Sequence, residues 1–401
     1  MSLRVPGYRE RWLERLGRIP AYGKNERMIW IHAVSVGEVK AAVELIKSLQ
    51  KEFPEHRVVV STVTPTGKMT LQKEFQEEIG HFYFPYDVPI FLNHMLDQLR
   101  PSACIVMETE IWPNLYRLCH QREIPIVIAN ARISPGSFRG YRRLPSLASR
   151  ALECVDLVLA QSAGDAERYI TLGASARRVV VPGNLKFDIS IENNARTPFQ
   201  ENVQKFIGPK IAWIAASTHE TEEEIILEAQ RCISSKIAGS LLIIAPRHPQ
   251  RFEKVAALCI RKGFRLKKLS EIGQGQADED TQVLLVDSIG ELNQLFPLTA
   301  LAFIGGSLVE AGGHNMLEPA AHGIPVITGP HYLNFLEIGN LMLETGALNV
   351  INDRHDLVSV ASDLLADPQA RENMGNSGRQ ILEQHSGATQ KTVEHIKTVL
   401  Q

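Results

Sequence analysis

Residues 305–330 read GGSLVEAGGHNMLEPAAHGIPVITGP. An apolar run, 301–304, breaks into four glycines, a His-Asn pair and Glu318-Pro319, and a second apolar run, 325–328, follows. That order predicts strand, glycine loop, short helix, strand. Glycines let backbone N–H groups approach a ligand closely, and the start of a helix favours a phosphate. A carboxylate a turn further on, Glu318, can accept hydrogen bonds from ribose hydroxyls. The segment is therefore expected to hold a nucleotide.

Upstream, the same kind of turn recurs. Apolar runs at 211–216, 241–245 and 283–287 lead into Ser217-Thr218-His219-Glu220, Pro246-Arg247-His248-Pro249 and Ser288-Ile289-Gly290-Glu291-Leu292. Four polar turns closing four strands in succession predict one ligand-binding sheet edge. Arg247 suits a phosphate or carboxylate and Ser217 a phosphate oxygen. Ile289, Gly290 and Glu291 belong to the same edge.

The first half repeats the pattern, with strand-like runs at 28–33, 57–62, 103–107, 125–129 and 157–160 alternating with helical periodicity, as at Val39, Ala42, Val43, Ile46 and Leu49. Strand–helix alternation predicts α/β domains with parallel sheets covered on both faces. A chain of 401 residues suits two such domains. The expected division is 1–188, a polar linker at 189–209, a second domain at 210–380, and a C-terminal helix, 381–401, packing back on the first.

Two acidic motifs stand where first-half strands end. Glu38, in Ser35-Val36-Gly37-Glu38, lies at a strand-to-helix turn. The carboxyl edge of an open sheet binds ligands, and a carboxylate there can act as general base. A glutamate in a first helical turn also complements the helix dipole with no further role. Glu108 and Glu110 precede Ile111-Trp112-Pro113-Asn114; two apart, they project to one side of an extended segment, and one of them could instead cap the Trp-Pro turn.

Residues 132–150 carry five arginines and no acid; Arg132, Arg139, Arg142 and Arg143 are candidates for phosphate groups. Residues 1–190 have a net charge of +5 and the remainder −7, which suggests an anionic partner for the first half. At the N-terminus, Arg4, Arg9, Arg11, Arg15 and Arg18 surround Tyr8, Trp12 and Leu16, spaced for one helical face. Such a helix can lie on an anionic membrane or pack its stripe inward.

Other classes find little support. No dinucleotide fingerprint, phosphate-binding G-x-x-x-x-G-K-[ST] loop or G-x-S-x-G elbow occurs. His219, Glu220 and His248 lack metal-ligand spacing, so neither metal nor cofactor is expected. Aromatic interleaving among the arginines is thin, which argues against nucleic acid. The five scattered cysteines point to reduced thiols, and neither a membrane-length apolar run nor a signal peptide is present.

Taken together, Ser-Val-Gly-Glu, Glu-Thr-Glu-Ile-Trp-Pro-Asn and the four second-half turns resemble the bacterial 3-deoxy-D-manno-octulosonic acid (Kdo) transferases, from Tyr8 to the C-terminus. The resemblance implies a GT-B glycosyltransferase fold: two Rossmann-like domains facing across a cleft, acceptor on the first and donor on the second. It implies CMP-Kdo as donor and the lipid A precursor lipid IVA as acceptor, in lipopolysaccharide biosynthesis. The family's catalytic base matches Glu38, with Glu108 and Glu110 as further active-site candidates. Its nucleotide contacts match Pro246-Arg247, Ile289-Gly290-Glu291 and Asn315-Met316-Leu317-Glu318. It also implies a place at the cytoplasmic face of the inner membrane. Family members usually carry an anchoring helix before the segment matching 8–17, so the expectation is that this sequence lacks its anchor. The readings set against this one are a GT-B transferase using a UDP-sugar, an epimerase on the same fold, and a non-catalytic nucleotide-binding membrane-associated protein.

Overall fold

Along the first-half strands, successive side chains enter two different cores. Met28 and Trp30 pack with Val59, Cys104, Val106, Ile126 and Ile128, whereas Ile29 and Ile31 pack with Val58, Val60, Ile105, Met107 and Val127. Strands with apolar residues on both faces must be covered on both. A computed structural model describes residues 10–23, 26–76, 78–189, 196–272 and 280–400. Arg4, Tyr8 and Arg9 of the expected basic helix lie outside them.

The chain forms two units, 1–188 with 385–401, and 189–384. The first holds β1 (Arg27–His32), β2 (His56–Thr62), β3 (Gly80–Tyr83), β4 (Ala103–Met107), β5 (Ile126–Ala131), β6 (Leu157–Ala160) and β7 (Val179–Val180). All pair in parallel in the order β3-β2-β1-β4-β5-β6-β7. The order reverses direction between β1 and β4, which is where ligands bind in such sheets, outside the strands' carboxyl ends.

The second unit holds β8 (Ile211–Thr218), β9 (Ser240–Pro246), β10 (Leu266–Lys268), β11 (Val283–Leu285), β12 (Ala302–Ile304), β13 (Val326–Thr328) and β14 (Leu348–Val350). These are again all parallel, ordered β10-β11-β9-β8-β12-β13-β14. The reversal now falls between β8 and β12. The four strands whose turns the sequence singles out, β8, β9, β11 and β12, are neighbours, and parallel pairing puts all four turns at one edge.

The last helix, Ala388–Leu400, belongs to the first unit, where Ala388, Val393 and Ile396 enter the core that holds Val39 and Leu49. Asp188 fastens its start: the carboxylate accepts the N–H groups of Gly387, at 2.6 Å, and Thr389. Such capping satisfies donors that have no partner within the helix. Residues 198–207, inside the stretch expected to be linker, form a helix whose Thr197 and Gln200 make a capping box.

The N-terminal segment differs from the expected amphipathic α-helix. Trp12–Leu16 is one short 3-10 turn. It buries Glu14 and Arg15 while Trp12 and Leu13 face solvent. The charged pair is held inside by specific bonds: the Tyr83 N–H donates to Glu14 at 2.8 Å, and Arg15 donates to the Val63 carbonyl at 2.9 Å. Of the expected stripe, Trp12 meets Tyr86 edge-on with ring centres 6.2 Å apart, and both are exposed.

Candidate active site

In the first domain, Glu38 occupies the third position of the helix Val36–Glu52, directly after β1. Its Oε2 accepts the Val34 N–H at 2.8 Å and its Oε1 accepts the Ser35 hydroxyl at 3.0 Å. Two hydrogen bonds do not offset its surroundings. Burial, opposed by the Val34 N–H and aided by the charges of Glu108 and Glu110, raises its carboxyl to about 8. That electrostatic coupling puts all three carboxylates at one place, where β1 and β4 part.

Glu108 and Glu110 are held differently. Glu108 has left-handed backbone, φ +56°. Its Oε1 lies 2.9 Å from Lys186 Nζ and its Oε2 3.9 Å from Arg132. Glu110 has its carboxyl raised by burial and then by Glu108. Neither caps the Trp-Pro turn. Asp87 does so, accepting the N–H groups of Asn114 at 3.1 Å and Leu115 at 2.9 Å, and the Asn114 side chain donates to the Asp87 carbonyl at 2.8 Å. The edge thus carries a protonatable carboxylate (Glu38), a second raised one (Glu110) and a third bracketed by cations (Glu108).

Lys186 was not among the sequence candidates. It sits in the 3-10 turn Leu185–Phe187, whose first N–H donates to Asn130 Oδ1 at 3.0 Å. Asn130, at the end of β5, is itself left-handed, φ +52°. A lysine in a turn beyond the last strand carries no local signal; only the fold brings it to β4. The arginine group also divides. Arg132 is half-buried beside Glu108, while Arg139, Arg142 and Arg143 are exposed around the short helix Pro135–Tyr141.

In the second domain the turns are tied to one another. The Arg247 N–H donates to the Thr218 carbonyl at 2.9 Å, joining β9 to β8. His219 and His314 lie Nε2 to Nε2 at 2.9 Å, joining β8 to the glycine loop. His322 Nε2 lies 3.3 Å from Asn293 Oδ1, joining that loop's helix to the turn after β11. Asn315 donates to Glu318 at 3.0 Å and accepts the Leu317 N–H at 3.1 Å. Met316 and Leu317 have fully buried side chains, so only their backbone can meet a ligand. Pro246 is buried as well, while Arg247 is exposed, Ile289 is exposed beside the left-handed Gly290, and Ser217 is half-buried with φ +57°. Glu291 has its Oε2 buried.

One expectation is corrected. The N–H groups of Gly306, Ser307 and Leu308 are not open to a phosphate. The Glu222 carboxylate, fully buried, accepts all three at 2.7, 3.0 and 2.9 Å, and also accepts the His219 N–H at 2.9 Å. The glycines do make room for close approach, but the anion they meet is a side chain of the same chain.

Two all-parallel Rossmann-like domains with polar constellations at their carboxyl edges define the GT-B class of nucleotide-sugar enzymes. The chain matches the family model described as 3-Deoxy-D-manno-octulosonic-acid transferase (kdotransferase) over residues 10–189 and that of group 1 glycosyl transferases over 212–381. It is 37% identical to a 3-deoxy-D-manno-octulosonic acid transferase of Haemophilus influenzae, covering 100% of this chain and 94% of the relative. It is 32% identical to one of Bordetella pertussis, covering 92% and 86%. Among solved structures, a glycosyltransferase from Rickettsia africae (TM-score 0.60, 13% identity, 94% and 99% covered) shares its fold. So does a UDP-GlcNAc 2-epimerase from Neisseria meningitidis bound to UDP-GlcNAc (0.60, 13%, 93% and 100%). The chain belongs to the 3-deoxy-D-manno-octulosonic acid transferase family of glycosyltransferases.

Proposed function

We propose that the protein transfers Kdo from CMP-Kdo to lipid IVA with inversion at the anomeric carbon and without a metal ion. The observation that carries this reading is Glu38: a buried carboxyl raised to about 8, at the point where the sheet order reverses, among two further carboxylates. A base works best with a pKa near the working pH. An acceptor hydroxyl loses its proton to Glu38 as its oxygen bonds to the anomeric carbon, and the bond from that carbon to the phosphate oxygen breaks. The transition state is oxocarbenium-like, by analogy with glycoside hydrolysis, and the carboxylates Glu108 and Glu110 lie where positive charge develops. CMP leaves with its phosphate stabilised by Arg247 and backbone dipoles of the second domain, its ribose near Asn315 and Glu318. Pro246, Ile289, Gly290, Glu291, Met316 and Leu317 shape the nucleotide site.

Arg139, Arg142 and Arg143, exposed beside Leu144 and Leu147, suit the acceptor's phosphates and apolar body. Trp12, Leu13, Tyr86, Val88 and Ile90 are exposed together near Arg11 and Arg18, a composition that fits an anionic bilayer surface. Among the described residues no helix is long and apolar enough to cross a membrane.

The test is incubation with CMP-Kdo and lipid IVA, followed by mass spectrometry of the lipid. The reading expects a gain of one or more Kdo masses together with released CMP. CMP release with unchanged lipid, or a gain from UDP-sugars alone, would replace it.

A further inference from the structure

Beyond Met107 the chain leaves the first domain's sheet. The Glu108 N–H still donates to the Ala129 carbonyl, at 3.0 Å, as a last rung between β4 and β5. Glu108 then turns left-handed, φ +56°, and residues 108–112 belong to neither strand nor helix. A glutamate lacks the freedom of glycine in that region, and such a residue persists only where its surroundings over-determine it.

Two phenols supply that constraint. The Tyr169 hydroxyl donates to the Glu108 carbonyl at 3.0 Å, and the Tyr116 hydroxyl donates to the Glu110 carbonyl at 2.5 Å. A carbonyl that has left the ladder needs a new donor, and here each of two receives one from a fully buried side chain. Burial above all raises both phenols well above their ordinary value. Each therefore stays a donor throughout the pH range of the reaction.

The tyrosines themselves stand on fixed helices. Tyr116 lies in Pro113–Gln121, whose start Asp87 caps through the Asn114 and Leu115 N–H groups. Tyr169 lies in Ala163–Thr171. There Asp165 accepts the Ile133 N–H at 2.9 Å and Arg168 donates to the Ile133 carbonyl at 3.0 Å, which ties that helix to the chain beyond β5. The two glutamate carbonyls are thus referred to two different helices.

We propose that Tyr116 and Tyr169 are positioning residues for the transfer, holding the Glu108 and Glu110 carboxylates beside Glu38 through the carbonyls of the same two residues. The inference rests on the reading of Glu38 as base. The charges facing this group are few and opposed. Glu108 and Glu110 press on Glu38, while Lys186, at 2.9 Å, and Arg132, at 3.9 Å, draw Glu108 to themselves. Tyr141 also lies within the field of Glu110. When a tyrosine hydroxyl is lost, the two cations draw Glu108 away. Its charge then weighs less on Glu38, which ionises at lower pH. The same displacement takes a carboxylate from the place where positive charge develops, and the rate falls.

The test is kcat from pH 6 to 9.5 at saturating CMP-Kdo and lipid IVA for the wild type, Tyr169→Phe and Tyr116→Phe, with thermal unfolding and CMP calorimetry on the same proteins. Tyr169→Phe should lower the high-pH plateau by up to about a hundredfold, the loss expected for a misplacement of about 1 Å. The midpoint of its profile should move from about 8 toward acid, with CMP affinity unchanged. Tyr116→Phe should act in the same direction. A merely structural role would lower the unfolding temperature and leave the midpoint of the rate profile at its wild-type pH. That outcome, or wild-type kcat in both variants, would overturn the proposal. If Tyr169→Phe fails to fold, Tyr116→Phe decides; if neither folds, both tyrosines belong to the framework and the proposal falls. A wild-type rate that does not rise with pH would instead remove Glu38 as the base.

Discussion

Glu38 and Glu222 occupy corresponding places in the two domains. Each follows the strand beside its sheet's reversal point, and each lies in the first turn of the next helix. Their surroundings make them opposites. Glu222 accepts four backbone N–H groups and is part of the loop's framework. Glu38 accepts one N–H and one hydroxyl and faces two more carboxylates. A carboxylate surrounded by donors holds backbone in place; one short of donors is left with proton affinity near neutral pH. The same topology thus yields a chemical edge in one domain and a binding edge in the other, and the difference lies in the hydrogen-bond inventory.

The comparison breaks most readily at Glu38. Glu38→Gln should lower kcat for transfer by about 10²- to 10⁴-fold, the usual range for a general base, and leave CMP affinity, measured by calorimetry, unchanged. Lys186→Met should have the next effect. Without Lys186 the negative charge at Glu108 presses harder on Glu38; one unit of further upward shift leaves about tenfold less ionised base near pH 7. The rate loss should therefore recover at high pH, and a loss equal at all pH values would deny this electrostatic role.

At Glu222 the same substitution should act on stability instead. Glu222→Gln places an amide among four N–H donors. Hydrogen bonds to a charged group are worth about 1.5–3 kcal/mol each, so the second domain's thermal midpoint should fall by about 10 °C. An unchanged midpoint would contradict the framework role. A smaller effect distinguishes Glu38 in the opposite direction. Its folded carboxyl lies above the unfolded value of 4.5, so its contribution is fully present below that value and is lost as pH rises through about 8. Glu38→Gln should match the wild type in stability at acid pH and exceed it at pH 9, as thermal unfolding would detect. The smallest change is expected at Asp188→Ala, about 1 kcal/mol from loss of the cap on the last helix.

The sequence reveals those features that rest on neighbouring residues. Runs such as 58–60 and 241–245 are apolar on both faces, so their parallel, covered character is written locally, and polar turns at strand ends mark the edges. Glu38 is visible for the same reason. What escapes depends on distant partners. The glycines of 305–313 announce close approach but not what approaches, because Glu222 lies 84 positions before Gly306. Asp87 caps a turn 27 residues away, which releases Glu110 from the structural role it could have had. Lys186 reaches Glu108 only through a turn fixed by Asn130. The basic run 132–150 looks uniform, yet Arg132 joins the carboxylates while its neighbours face solvent. At the N-terminus, helical spacing of Trp12 and Leu16 misleads because Glu14 and Arg15 find partners inside.

The account depends most on Glu38 being the base of a glycosyl transfer. The direct measurement is kcat at saturating CMP-Kdo and lipid IVA from pH 6 to 9.5, for the wild type and Glu38→Gln. The wild-type rate should rise with pH and level off above about 8, and the variant should show a low rate without that rise. A wild-type rate that is flat or falling over this range, or a variant that keeps the wild-type profile, would contradict it.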